Sequence, residues 1–218
     1  MKSRFMFNAV AVGLSVAGAL LASGCSTTPP VAEGFAAAPV GTVTTLHRKS
    51  SGSLGNSDGK VVWTLSNGTW QGKPVVISAS PEVGGWVLDP KTYAYIASLD
   101  RAGKHVYSYD PPVGYQWPLE VGKTWTSKHV RTVQASGQSM PIEVSWKVES
   151  WGDVTVPAGT FKAYKVVTTN NLGEVETIWS SPKDGVTIVK RNVVRPATHP
   201  QGAGVLDAEL LSNILPAK

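Results

Sequence analysis

The run Val144-Ser145-Trp146-Lys147-Val148-Glu149 decides the fold class. Apolar and polar side chains alternate one by one, so an extended chain places Val144, Trp146 and Val148 on one face and Ser145, Lys147 and Glu149 on the other. This is a half-buried β-strand, expected to end in a turn at Trp151-Gly152-Asp153.

Working outward, short runs rich in Val, Ile, Thr, Trp and Tyr recur at intervals of about 8 to 12 residues, the spacing of all-β sandwiches and barrels. Strands are expected over 42–47, 60–65, 74–78, 93–99, 105–109, 124–132, 161–168, 175–180 and 186–194. Turns at Asn67-Gly68, Ala102-Gly103, Leu172-Gly173 and Asp184-Gly185 join several of them into hairpins. The Pro- and Gly-rich connections at 50–59 and 110–116 interrupt the series. The expectation is therefore an all-β fold, an antiparallel curled sheet that is barrel-like or a two-sheet sandwich. Helical spacing occurs in the tail alone, where Asp207 can cap a short helix with Leu206, Leu210, Leu211, Ile214 and Leu215 on its apolar side.

The chain has 218 residues, 42% hydrophobic and 16% charged, enough for one folded domain of about 42–218 behind a leader. Lys2 and Arg4 begin that leader, an apolar stretch with small residues follows to Leu21, and Ala22-Ser23-Gly24 precede Cys25, the one cysteine of the chain. This is the layout of an export signal over 1–24, too interrupted by Asn8, Gly13, Ser15 and Gly18 for a permanent span. The segment that follows, 25–41, is rich in Ser, Thr, Pro, Ala and Gly and reads as a flexible tether.

Leu21-Ala22-Ser23-Gly24-Cys25 resembles the lipobox of bacterial lipoproteins. The resemblance implies cleavage before Cys25, acylation of its thiol and new amino terminus, and, because Ser26 is not aspartate, placement at the outer membrane of a Gram-negative cell facing the periplasm. Two or more buried acyl chains hold a protein stably to a bilayer, each methylene contributing about 0.8 kcal/mol. A second resemblance rests on WPLEVGKTW at 117–125, VTVPAGTF at 154–161, and WSSP at 179–182 with Gly185-Val186. These motifs resemble a group of β-rich bacterial periplasmic and lipoprotein domains that has no assigned activity, which implies a fold and a location. Pro157, Gly159 and Phe161 have turn and core-plug chemistry sufficient to account for the central motif.

Charge excludes one partner class. Lys2 and Arg4 fall before Cys25, leaving 18 basic against 15 acidic side chains in the remainder, a scattered excess that does not suit nucleic acid. The densest basic run, His47-Arg48-Lys49, reads as a solvated strand end.

Chemical motifs are scarce. His47, His105, His129 and His199 fall in no metal-ligand spacing, and no cofactor is expected. There is no GxSxG elbow, dinucleotide loop or Walker sequence. His105 is expected to alternate with Tyr107 and Tyr109 along a strand. Glu143, Glu149, Glu174 and Glu176 read as solvent-face residues, and nothing selects a catalytic pair among them.

The unusual feature is eight tryptophans and six tyrosines. Large aromatics fill the interior of a curled sheet, whereas Trp70 and Trp86, flanked by glycine and turn residues, are the candidates for exposed ligand-binding aromatics. The first functional reading is a non-catalytic lipoprotein domain, lipidated at Cys25, that binds or scaffolds an envelope component, with a small apolar molecule or an envelope protein as partner. A glycan or peptidoglycan binder using Trp70 and Trp86 is the alternative, and a hydrolase whose site is assembled by the fold is a third.

Overall fold

A computed structural model describes residues 28–217. Cys25, the leader and the first residues of the expected tether lie outside the described residues.

Twelve antiparallel strands close into a barrel: β1 (Val43–Gly52), β2 (Ser57–Trp70), β3 (Lys73–Ser80), β4 (Gly84–Leu88), β5 (Tyr95–Leu99), β6 (His105–Val113), β7 (Thr124–Val133), β8 (Ser139–Val156), β9 (Gly159–Asn170), β10 (Val175–Ser181), β11 (Val186–Arg195) and β12 (Gly204–Ile214). Each strand pairs with its sequence neighbours, and β12 returns to β1 with Leu46 opposite Leu210 and Arg48 opposite Ala208. The sheet therefore has no free edge, and the two-sheet alternative does not apply.

Strand β8 shows why the chain takes this form. Ile142, Val144, Trp146 and Val148 are buried, while Glu143, Ser145, Lys147 and Glu149 are exposed. The same period of two places Leu206, Ala208 and Leu210 of β12 inside and leaves Asp207 on the outer side, hydrogen-bonded to Asn192. Along these two strands the apolar-in, polar-out alternation is the reverse of that in a membrane-spanning barrel, whose outer band is apolar. One core cluster forms around Leu46, Val189, Val193, Leu206 and Leu210, and a second around Leu119, Val144, Trp146, Val148 and Val166.

Three local expectations are corrected, and one strand is added. The tail at 206–215 is strand, not helix, because β1 and β11 offer it hydrogen bonds on both sides. Trp151-Gly152-Asp153 is no turn; β8 runs through it to Val156 with a register shift between Val148 and Ser150, a bulge that bends the strand without ending it. Asn67-Gly68 lies within β2, and the chain reverses instead at Gln71-Gly72, where both residues have the positive φ of a tight hairpin turn. The added strand is β4, only five residues long and opened by two glycines, which weaken a strand signal.

Alternating hairpins divide the barrel into two ends. The β1–β2, β3–β4, β5–β6, β7–β8, β9–β10 and β11–β12 connections lie at one, called here the hairpin end. The segment before β1 crosses the other. Pro30 accepts a hydrogen bond from the Tyr164 hydroxyl (2.5 Å), Ala32 pairs with Leu119 in both directions, Ala36 donates to Pro182, and Ala38 accepts from the Tyr93 hydroxyl. Phe35 lies against Tyr93 with ring centroids 4.9 Å apart. Over 30–38 the expected tether is thus a strap across the barrel, held by backbone pairing that its small side chains permit.

Candidate functional site

The barrel is not filled. A cavity of about 360 Å³ lies between the strap and the hairpin end, within the range of small-molecule sites of about 300–1,000 Å³. A smaller space of about 100 Å³ adjoins it and shares Arg48, Trp63, Trp86, Tyr95 and Arg191 with it.

Aromatic side chains form much of the wall. Trp86 of β4 lies 4.9 Å from Tyr95 and 6.1 Å from Tyr107, and Tyr107 packs edge-on to Tyr109 at 5.5 Å. Tyr115 closes the strap side, 5.8 Å from Trp146, which stacks on Trp125 at 5.2 Å and 8°. Trp86, Tyr95, Tyr107, Tyr109, Trp125 and Trp146 are held by the strands β4 to β8, whose period of two turns every second residue inward, and Tyr115 by the connection between β6 and β7. Burial pushes the hydroxyls of Tyr95, Tyr107, Tyr109 and Tyr115 above the usual phenol range, so they stay protonated and able to donate.

Charge is present inside as well. Arg48, Arg131, Arg191 and Arg195 line the cavity, with Glu174 and Glu176. Arg191 Nε donates to Glu176 at 2.5 Å, and Arg195 pairs with Glu174. Burial alone would pull the Arg191 pKa down; Glu176, with Tyr95 and Glu174, outweighs it and holds the guanidinium above its ordinary range. Arg48 donates to Ser57 Oγ at 2.7 Å and to the Leu54 carbonyl at 2.9 Å, and burial, then Arg191, lower its pKa. Arg131 lies over the Tyr107 ring at 5.4 Å, and its Nε is sealed from solvent with no hydrogen-bond partner among the described residues. His199, in the loop after β11, also reaches this wall. Its Nδ1 accepts from the Gln201 amide, and burial followed by Arg195 depresses its pKa.

The two aromatic candidates are separated by the barrel wall. Trp86 faces the cavity. Trp70, at the end of β2, alternates to the outer side, where it packs with Ile77 over Val75, Val87 and Ala97 and meets His105 edge-on at 4.7 Å. His105 does not share a face with Tyr107 and Tyr109, because the pairing with β5 shifts register between Ser98 and Leu99. Arg48 was expected at a solvated strand end. Its neighbours His47 and Lys49 do point outward, to Asp58 at 2.8 and 3.7 Å, but Arg48 alternates inward with Leu46. Glu174 and Glu176 likewise face in, whereas Glu143 and Glu149 pair on the outer surface with Lys128 and Lys165.

One arrangement has the form of a nucleophile and its base. Ser127 Oγ is 2.7 Å from His129 Nε2, and His129 Nδ1 is 2.8 Å from the Pro111 carbonyl oxygen. Ser127 Oγ also accepts from the Trp146 indole at 2.9 Å. A proton on Nδ1 satisfies all three contacts in one chain of donors, from Trp146 to Ser127 to His129 to Pro111. The chain ties β6, β7 and β8 together; Trp146 lines the cavity, but the serine and the histidine that would do chemistry do not. Among the described residues no three His, Cys, Asp or Glu side chains converge as metal ligands.

No family model matches the chain, and no curated protein is similar to it in sequence. Solved structures similar to it include a protein described as exported, with a YmcC-like fold, from Bacteroides fragilis NCTC 9343: 12% identity, 84% of this chain and 99% of that one, TM-score 0.48. The hypothetical lipoprotein YmcC from Escherichia coli follows, with 11% identity over 81% of this chain and 85% of that one and a TM-score of 0.42. A protein described as a lipoprotein from Parabacteroides distasonis has 12% identity over 84% and 99%, at 0.39. With every TM-score below 0.5, these likenesses carry no argument about what this chain does.

Proposed function

We propose that this chain is a lipoprotein of the bacterial envelope, anchored through Cys25, whose barrel holds a small molecule with an apolar body and performs no chemistry on it. The cavity carries the reading: aromatic and aliphatic side chains enclose it, and a few fixed polar groups project into it, the composition of a ligand pocket.

The anchor rests on the lipobox-like sequence at 21–25, and the strap gives it a geometric meaning. Pro30 stands five positions after Cys25, and an extended chain spans at most about 18 Å over five Cα steps. An acylated Cys25 would therefore hold the strap end of the barrel close to a bilayer. The favoured membrane is the outer one, with the barrel in the periplasm.

The ligand is tested on the lipidated protein in phospholipid nanodiscs with N-phenyl-1-naphthylamine, a neutral fluorescent apolar probe. Saturable 1:1 binding is expected, with energy transfer from tryptophan that falls in Trp86→Phe and is unchanged in Trp70→Phe. Binding that depends on Trp70 and not Trp86 would move the site to the outer wall, and a soluble glycan that quenches Trp70 would favour the surface reading. Palmitate incorporation that survives in Cys25→Ala would refute the anchor.

A further inference from the structure

We propose that the molecule held in the barrel is an amphiphile with one anionic headgroup, a carboxylate or a phosphate, and that Arg131 is the residue that seats that headgroup. This rests on the reading of the cavity as a ligand site and adds the chemical class of the ligand.

The charge balance of the wall is the starting point. Four guanidinium groups face two carboxylates, and both carboxylates are engaged, Glu176 by Arg191 and Glu174 by Arg195. Two positive charges remain without a carboxylate partner. Burying a charge is costly unless it is paired and hydrogen-bonded. Arg48 meets part of that need through Ser57 and the Leu54 carbonyl. Arg131 does not: it is in no ion pair or hydrogen bond among the described residues, its Nε is sealed away from solvent, and its guanidinium lies over the face of Tyr107.

The surroundings of Arg131 suit an anion more than a second cation or a neutral group. Arg131 stands directly across from Tyr109 in the β6–β7 pairing, with Tyr107 diagonal to it, so two phenol-bearing residues border the guanidinium. A guanidinium presents donors in a planar fork that matches the oxygens of a carboxylate or phosphate. Beyond it the wall turns apolar toward Ile142, Val144 and Trp146, which also line the cavity. One polar end and a long apolar wall fit a molecule of the same division.

The test uses octanoate, octyl phosphate, octanol and inorganic phosphate against the lipidated protein in nanodiscs, with empty nanodiscs as the blank, read by displacement of N-phenyl-1-naphthylamine and by calorimetry. Octanoate or octyl phosphate should bind about tenfold to a hundredfold more tightly than octanol, the range of a charge-assisted hydrogen bond. Arg131→Gln should bring the anions down to the affinity of octanol and leave octanol unchanged, while Arg131→Lys, which keeps the charge and loses the planar fork, should keep only part of the preference. An unaltered thermal transition in Arg131→Gln separates loss of the seat from loss of the fold.

Octanol bound as tightly as the anions would overturn the headgroup assignment and leave the cavity reading intact. An anion preference that survives Arg131→Gln would overturn the role of Arg131. Inorganic phosphate binding as tightly as octyl phosphate would overturn the amphiphile in favour of a free anion. No displacement by any of the four, with no probe binding at all, would sink the cavity reading itself.

Discussion

Glu176→Ala should destabilise the barrel by about 2–3 kcal/mol. In the wild type, Glu176 accepts from Arg191 Nε at 2.5 Å on the inner wall, where the two side chains keep 22% and 25% of their exposure. Removing one partner of a fully buried pair costs about 3–5 kcal/mol, because the other charge is left without compensation. An exposed pair is worth about 0–1 kcal/mol. A pair that is roughly three-quarters buried falls between these limits, nearer the first. For a domain of this size, about 2–4 °C per kcal/mol translates the loss into a fall in Tm of about 4–12 °C. Urea unfolding followed by tryptophan fluorescence measures it. The double variant Glu176→Leu with Arg191→Met, which removes both charges and retains apolar volume, should recover most of the stability. A loss under about 1 kcal/mol in the single variant, or a double variant no more stable than the single one, would refute the account of the interior as a place where charge must be paired.

Three further outcomes are expected. Tyr164→Phe removes the hydroxyl that donates to Pro30, a bond of about 0.5–1.5 kcal/mol, so limited proteolysis should cut the strap earlier with the barrel melt unchanged; equal cleavage rates would show that the strap is held elsewhere. Gly84→Ala should cost about 1–3 kcal/mol in urea unfolding, since Gly84 has φ +104° and an added Cβ would lie 2.3 Å from the Leu99 carbonyl oxygen; a change under 0.5 kcal/mol, about the scatter of surface substitutions, would contradict this. At Asp89, burial raises the pKa, but the hydrogen bonds from the Thr92 amide, the Thr92 hydroxyl and the Lys91 amide outweigh it and the net shift is downward. Its contribution to stability is then present above the unfolded value of about 3.9 and disappears as pH falls through the lower folded value. The Thr92 amide shift should titrate with a midpoint below about 3.9, and a midpoint above it would reverse the sign.

The strand character of this chain is local and legible. Period-two alternation in Val144 to Glu149 marks β8 without reference to any other residue, and Gly103, Gly173 and Gly185 all occupy the positive φ that a chain reversal requires. The cavity could have been read in part. Arg48 shares its alternation with Leu46, and Glu176 shares its own with Ile178, so both could have been assigned to the inner face by the same rule that assigned Trp146. Composition argued the other way, because charged residues are so rarely interior unless paired, and the partners are far apart in sequence: Arg191 stands 15 residues from Glu176 and Arg195 stands 21 from Glu174.

What the sequence by itself determined is the alternation, and with it the all-β class, the approximate place of most strands and the abundance of aromatics available to a curled interior. The tertiary structure decided closure. Leu206 and Leu210 satisfy a helical period as well as an extended one, and the choice falls to strand because β1 and β11 supply hydrogen bonds to both sides of the segment. Closure also decided which aromatics could meet a ligand, turning Trp86 into the barrel and leaving Trp70 on its outer wall. Pairing between Leu46 and Leu210, at opposite ends of the chain, carries no local signal. A side chain's neighbours inside a barrel are set by strand register and shear, which only the assembled sheet possesses.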